Sequence, residues 1–122
     1  MGTFAVRATL ANPARPQRRL TLDLVVDTGT TYTLLPAEIV EQLELTTPRD
    51  RTVMLASGER VAYGVGQVTI ELNGEEWPTM FLAGPSRCPA LLGTMTLEGF
   101  GLAPDPVNKR LVPVTGLLAR SL

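Results

Sequence analysis

An apolar run that ends at a single Asp-Thr-Gly triplet constrains this chain more than any other feature. The run covers residues 20–26 and reads Leu-Thr-Leu-Asp-Leu-Val-Val, and Asp27-Thr28-Gly29 follows it directly. Its nearly continuous apolar end predicts a strand that is buried on both faces. Asp and Gly favour turns, and Gly29 permits a tight one. The chain should therefore present one carboxylate on a tight turn at the end of a core strand.

The rest of the chain predicts a mainly β fold. Its 11 Gly and 10 Pro separate short apolar segments, and Asn73-Gly74 is a strong hairpin signal. Pro36 could open a short helix at its first position, and a helical turn is expected over residues 94–100. Strands are expected at residues 3–10, 19–26, 32–35, 52–55, 60–63, 67–72, 77–83 and 111–114, and residues 91–93 are a short apolar stretch closed by Gly93.

Composition narrows the classes of protein and partner. A length of 122 residues without a repeat or a linker predicts one domain, residues 1–122. A hydrophobic fraction of 44% is typical of a globular chain. A net charge of −1 does not indicate binding to nucleic acid or to an anionic membrane, which an excess of positive charge would favour. Neither a signal peptide nor a membrane-spanning run is recognisable, so a cytoplasmic protein is the expectation, although an excised domain would look the same.

The side chains available for catalysis are few. The chain has no His and one Cys, Cys88, which excludes a Ser-His or Cys-His pair and an internal disulfide. No metal or other cofactor is expected, since zinc sites are built mainly from Cys and His. What remains is acid–base chemistry by two carboxyl groups that share a proton, one acting on a water and the other on a carbonyl. Asp27 is the candidate, and it needs a partner carboxylate.

Three segments together resemble the retropepsin-like aspartic proteases. Residues 27–36, Asp-Thr-Gly-Thr-Thr-Tyr-Thr-Leu-Leu-Pro, resemble the active-site segment of that family. Leu91-Leu92-Gly93 resembles its second signature, and the hairpin predicted over residues 52–63 resembles its flap. The resemblance implies a closed, β-barrel-like acid protease fold with one or two short helices, a flap hairpin, and a late strand that threads under the catalytic loop.

The resemblance also implies a role for each matching residue. Asp27 would be the catalytic carboxylate, and Thr30 would orient it. Thr28 would bond to its twin loop across a dimer, and Gly29 would let the two loops meet. The flap residues would cover the substrate, and the second signature would support the catalytic loop. These two sets are Ala56, Ser57, Gly58 and Glu59, and Leu91, Leu92 and Gly93.

A single copy of the motif makes a twofold homodimer the economical solution. The leading hypothesis is a homodimeric aspartic endopeptidase that acts on peptide or protein substrates. One alternative is a dimeric peptide-binding or assembly module that does not cleave, because a fold does not determine a function. Another is a monomer or a piece of a longer chain whose second half lies elsewhere. The apolar tail at residues 117–119 either joins the dimer interface or is a frayed end.

Other residues receive structural interpretations. Asp23 is expected to face solvent, and Asp105, between two prolines, is expected in a turn. Trp77 and Tyr63 are expected to pack in the core or under the flap.

Overall fold

The structure, a computed structural model, describes residues 3–121. Within them it is mainly β, as the sequence predicts. The 1–122 domain remains a prediction, and its Met1, Gly2 and Leu122 lie outside the described residues. The strands are β1 (Phe4–Asn12), β2 (Arg15–Val26), β3 (Thr33–Leu35), β4 (Arg49–Met54), β5 (Arg60–Leu72), β6 (Glu75–Ala83), β7 (Leu91–Leu92), β8 (Leu102–Asp105) and β9 (Arg110–Pro113), and the helices are α1 (Ala37–Gln42) and α2 (Thr94–Gly99).

Seven strands form one sheet that curls back on itself. The hydrogen-bonded order is β1-β2-β7-β3-β6-β5-β4, and β5 also pairs with β1. That extra pairing joins Thr9–Ala11 to Thr69–Glu71, so six of the strands make a ring and β4 extends beyond it. The predicted barrel-like architecture is therefore confirmed. Two-stranded pairing of β8 with β9 forms a separate hairpin near the C-terminus.

The core fills the interior of this ring. Leu10, Leu24, Ile70, Phe81 and Leu92 are all fully buried. Burying a side chain of this size stabilises a fold by about 1.5–3 kcal/mol. These residues come from β1, β2, β5, β6 and β7. The core therefore holds β2, which leads to Asp27, beside β7, its neighbour in the sheet.

The end of β2 is enclosed as predicted on one face and in part on the other. Leu24 and Val26 are buried, whereas Val25 between them is half-buried. Parallel pairing with β7 places Val25 beside Leu91 and Val26 beside Leu92. The two conspicuous sequence signatures thus lie next to each other in the sheet although more than sixty residues separate them.

Two hairpins form where the sequence predicts them. Asn73 and Gly74 connect β5 to β6 with φ values of 52° and 83°, as the primed hairpin turns require. The β4–β5 hairpin turns over residues 55–59, where Leu55 and Glu59 are joined by a 2.8 Å backbone hydrogen bond. Gly58 in this turn has a φ of 90°, which favours glycine.

Some element boundaries differ from the prediction. β2 begins at Arg15 rather than at residue 19, because it pairs with β1 as far back as Asn12. Pro36 caps helix α1 rather than occupying its first position. β8 was not predicted, since Pro104 within it argues against a strand. No helix in residues 3–121 is long and apolar enough to cross a membrane.

Candidate active site

The position of Asp27 is set by the parallel pair of β2 and β7. The Val25 amide donates to the Ala90 carbonyl at 3.0 Å, and the Asp27 amide donates to the Leu92 carbonyl at 3.2 Å. Asp27 is therefore the last residue of the chain that this ladder holds before the turn begins. Its side chain is half-buried.

Short-range hydrogen bonds orient the Asp27 carboxylate. The Gly29 amide donates to Oδ1 at 2.9 Å, and the Thr30 hydroxyl donates to Oδ2 at 3.1 Å. The Thr30 amide also donates to the Asp27 carbonyl at 3.2 Å, which closes the turn. Each carboxylate oxygen thus has one donor from the loop and keeps a further lone pair for another group. Such a carboxylate is held in one orientation before any ligand arrives.

The segment at Gly93 supports the loop from below, as the resemblance implies. The Thr94 amide donates to the Thr30 carbonyl at 2.9 Å, and the Met95 amide donates to the Thr31 carbonyl at 3.0 Å. A Cβ atom added at Gly93 would lie 2.4 Å from the Tyr32 carbonyl carbon. Only glycine allows the two backbones to approach this closely, which explains the last residue of the Leu-Leu-Gly signature.

A threonine cluster, Thr33, Thr79 and Thr96, fastens this support to the core; Thr33 and Thr96 are buried and Thr79 is half-buried. Thr33 Oγ1 and Thr96 Oγ1 are 2.7 Å apart, and Thr79 Oγ1 lies 3.0 Å from Thr96 Oγ1. The Gly93 amide donates to Thr33 Oγ1 at 3.1 Å. Sequence reasoning missed this cluster, because three threonines spread over sixty residues carry no signal that they meet.

A cleft of about 730 Å³ lies between the Asp27 loop and the β4–β5 hairpin. Asp27, Gly29 and Thr30 line it from the loop. From the hairpin it is lined by residues 52–56 and by Tyr63, and Leu34, Leu82 and Leu91 add apolar surface. Asp27 is the one acidic side chain among the described lining residues. The cleft therefore combines a mostly apolar wall with a single oriented carboxylate, as binding sites for peptides and small molecules often do.

The structure brings most of the predicted site residues together and leaves others at the rim. Leu92 and Gly93 are buried beneath the loop, and Leu91 reaches the cleft. Ala56 also lines the cleft, whereas Ser57, Gly58 and Glu59 form the exposed tip of the hairpin and do not line it. The hairpin residues that sequence reasoning missed make more of the cleft wall than the tip does, and they are Thr52, Val53, Met54 and Leu55. The alternation of the hairpin could have identified Val53 and Leu55.

Thr28 faces away from this cleft. It is exposed and borders a second hollow of about 350 Å³, together with Asp27, Gly29, Phe4 and Pro104. Asp27 and Gly29 therefore lie between two openings, one toward the hairpin and one toward the N-terminal strand and the β8–β9 hairpin.

Cys88, the single cysteine of the chain, is not part of the site. Burial raises the pKa of the Cys88 thiol, and the negative charge of Glu38 raises it further. A thiol with a raised pKa carries little thiolate near neutrality, so it is a poor nucleophile. Cys88 is also absent from the cleft lining. Within residues 3–121 no three His, Cys, Asp or Glu side chains cluster as metal ligands would.

Solved structures with the same fold include several proteases. The EIAV protease, solved with the inhibitor HBY-793, has a TM-score of 0.58 at 20% identity, covering 80% of this chain and 86% of its own. A retropepsin-like aspartic protease from Rickettsia conorii has a TM-score of 0.57 at 20% identity, covering 90% and 80%. The retroviral protease-like domain of Ddi1 from Leishmania major has a TM-score of 0.62 at 13% identity, covering 93% and 89%. These similarities establish a retropepsin fold.

The family comparison reaches further than the fold. No curated protein matches the chain. The family model described as "Aspartyl protease" matches residues 6–96, which include the Asp27 loop, the β4–β5 hairpin and the Gly93 segment. The resemblance seen in the sequence is thereby confirmed, and this chain belongs to the aspartyl protease family.

Proposed function

We propose that this protein is a homodimeric aspartic endopeptidase whose active site forms where two Asp27 loops meet. The observation that carries the proposal is the Asp27 carboxylate itself, held by Gly29 and Thr30 in a cleft large enough for a peptide segment. Family membership supports a protease, and the homodimer and the mechanism are what the proposal adds.

The chemistry follows from having one carboxylate in each chain. Two carboxyl groups brought close together cannot both ionise, so the pair would hold one proton between them. The ionised member would take a proton from a water, and the protonated member would polarise the peptide carbonyl that this water attacks. The hydrogen bonds from Gly29 and Thr30 would keep both carboxyl groups aimed during this transfer.

The surface around the second hollow supports a second copy of the chain as the partner. Thr28 is exposed beside Asp27, and the hollow next to it is bordered by Phe4 and Pro104. Large apolar side chains are also exposed near the C-terminus, with Leu117 at 91% and Leu118 at 74%. Exposed apolar groups of this kind are typical of surfaces that another chain covers.

The first experiment compares two carboxylate variants in a peptide-library cleavage assay. Asp27→Asn should abolish cleavage while the fold, read by circular dichroism, is retained. Asp23→Asn is the matched control, because Asp23 lies four residues earlier, is exposed, and its carboxylate bonds to Arg7 on the surface. Equal cleavage by Asp27→Asn and the parent would contradict the mechanism.

A mixing experiment tests whether two Asp27 residues share one site. Parent and Asp27→Asn chains mixed in equal amounts should leave about one quarter of the dimers with two Asp27 carboxylates, if subunits exchange at random. Activity per parent chain should therefore fall by about half. Activity that depends only on the amount of parent chain, or a persistent monomer in sedimentation, would contradict the shared site. Peptide binding without cleavage by the parent would instead favour a non-catalytic module.

The cytoplasmic location of the protein remains a prediction.

A further inference from the structure

Arg51 is an exposed residue of β4 at the rim of the cleft, directly before the lining residues 52–56. Strand alternation puts Arg51, Val53 and Leu55 on one face, and the last two are half-buried and line the cleft. Directly across the hairpin, Arg51 pairs with Tyr63, another half-buried cleft residue. The opposite face carries Asp50, Thr52 and Met54, which are exposed, and the last two also border the cleft.

The guanidinium of Arg51 is held at the edge of the active-site loop. Its Nη1 donates to the Tyr32 hydroxyl at 2.9 Å, and its central carbon lies 5.7 Å from the centroid of the Tyr32 ring. Tyr32 belongs to the loop that begins at Asp27, and it lines the cleft. Arg51 thus bridges the two walls of the cleft, the hairpin and the loop.

The charge of Arg51 has no counterion among the described residues. None of the ion pairs within residues 3–121 includes it, and its one side-chain partner, Tyr32, is a neutral hydroxyl. A guanidinium carries five N–H donors and stays protonated, so four donors remain available for an acceptor. Among the residues that line the cleft, the described acidic side chain is Asp27 alone. A cation that is positioned but unneutralised favours an anionic ligand.

We propose that Arg51 is a specificity-determining residue that selects substrates with an acidic side chain at the position that binds beside Tyr32. This inference rests on the proposed function and names the substrate class of the same site. A Glu or Asp carboxylate could accept two parallel N–H groups from the guanidinium, while the contact with Tyr32 keeps the guanidinium plane in place. An amide of the same shape would accept only one such bond and would carry no charge.

Two other arginines of the hairpin provide matched controls. Arg49 has the same charge and lies two residues earlier, but it borders a separate hollow of about 620 Å³ near Glu44 and Leu45. Arg60 pairs with Met54 at the end of the hairpin that adjoins its exposed turn. If any nearby cation attracted acidic peptides, all three arginines would contribute alike.

The decisive test uses sets of three peptides that carry Glu, Gln or Lys at one position, and that position is scanned along the peptide. At low salt the parent should cleave the Glu peptide about fivefold more efficiently at the best position, judged by kcat/KM, as expected for a partly exposed ion pair. Arg51→Gln should remove the preference, and Arg51→Glu should reverse it in favour of Lys peptides. Arg49→Gln and Arg60→Gln should retain it. The preference should also shrink as salt is raised, because exposed charges are screened.

A binding assay separates failure of this inference from failure of the proposed function. Asp27→Asn and the double variant Asp27→Asn/Arg51→Gln are titrated against the same labelled peptides, followed by fluorescence anisotropy, so no cleavage is needed. Tighter binding of the Glu peptide that disappears with Arg51→Gln supports the inference even if the parent cleaves nothing. Equal affinity for the Glu and Gln peptides, or no binding of either, overturns it.

Discussion

The Asp27 loop and the β4–β5 hairpin line the same cleft, yet the loop and the turn of that hairpin are held in very different ways. Residues 27–31 are joined to residues 92–95 by backbone hydrogen bonds from Asp27, Thr94 and Met95. Among the described residues, the hydrogen bonds of the turn at residues 55–59 lie within the turn itself. They join Leu55 to Glu59, Gly58 to Leu55, and the Glu59 amide to the Ser57 hydroxyl. Residues 56–59 are all exposed, whereas Gly93 beneath the loop is buried.

This difference matches what the two regions would have to do. A carboxylate that handles protons must stay within a narrow range of positions, so its loop is supported from the core. A cover over a peptide has to open, and regions that open have few buried contacts. The two walls of the cleft thus differ in support: the loop is bonded to residues 92–95, and the turn of the hairpin is exposed.

The largest effect is expected from a methyl group added under the loop. Gly93→Ala places a Cβ atom 2.4 Å from the Tyr32 carbonyl carbon, where backbone would have to move. We expect it to lower the free energy of unfolding by about 3 kcal/mol in urea titrations. Gly58→Ala is the control, because a Cβ there meets nothing within 4 Å and only the φ of 90° is unfavourable, which costs about 1 kcal/mol. Equal losses would show that the loop is no more tightly packed than the tip.

A smaller loss is expected when the threonine cluster is cut. Thr33→Val removes the acceptor of the Gly93 amide and the partner of the Thr96 hydroxyl, both buried. An unsatisfied buried group costs about 1–3 kcal/mol, and urea titrations should show a loss in that range. Thr21→Val breaks the exposed Thr9–Thr21 hydroxyl pair instead, and it should change stability by about 0.5 kcal/mol or less. A loss from Thr21→Val as large as that from Thr33→Val would contradict the supporting role of the cluster.

The next prediction concerns orientation of the carboxylate rather than stability. Thr30→Val removes the hydroxyl that donates to Asp27 Oδ2. Because a hydrogen bond to a charged group contributes about 1.5–3 kcal/mol, kcat should fall by about tenfold or more, with KM little changed. Thr30→Ser keeps the hydroxyl and should restore most of the rate. If Thr30→Ser is as slow as Thr30→Val, the shape of the side chain matters and its hydrogen bond does not.

The smallest effect is expected at the surface carboxylate of Glu38, away from both walls of the cleft. Glu38 on α1 accepts hydrogen bonds from the Ser86 hydroxyl and the Arg87 amide, and these bonds lower the pKa of its carboxyl group below the ordinary value of 4.5. Because the pKa of Glu38 is lower in the folded state, these hydrogen bonds stabilise the fold above pH 4.5. The stabilisation is lost as the pH falls through the pKa of Glu38 in the folded state. Glu38→Gln should therefore lower Tm at neutral pH and converge with the parent in acid. A constant difference in Tm across that range would contradict the assignment.

Local sequence was sufficient for elements whose signals lie within a few residues. The Asn73-Gly74 turn, the β4–β5 hairpin and the Asp27 turn are such cases, because turn residues and strand alternation act over short distances. It failed for Trp77, which was expected in the core or under the flap but is 53% exposed, with its indole N–H donating to Glu75 at 2.7 Å. Trp77 lies near the start of β6, where residues 75–78 are exposed to solvent. Asp23 is exposed and Tyr63 lines the cleft, as expected.

Proline misled the interpretation near the C-terminus. Asp105 was expected in a turn, and its carboxylate does accept the Val107 and Asn108 amides of a turn. It is also the last residue of β8, paired with Arg110 of β9. Pro104 tolerates a strand here because this two-stranded hairpin has open edges, where a missing N–H costs little.

The sequence by itself determined that this chain is mainly β and that Asp27 stands on a turn at the end of a core strand, because hydrophobic periodicity and turn chemistry are local properties. Resemblance in three separated segments was enough to indicate the family. The resemblance also placed Leu92 and Gly93 under that turn. Only the tertiary structure decided that three distant threonines meet there, and that Arg51 reaches Tyr32 at the rim of the cleft. Those contacts join residues far apart in the chain, and they exist only once the strands have paired in register.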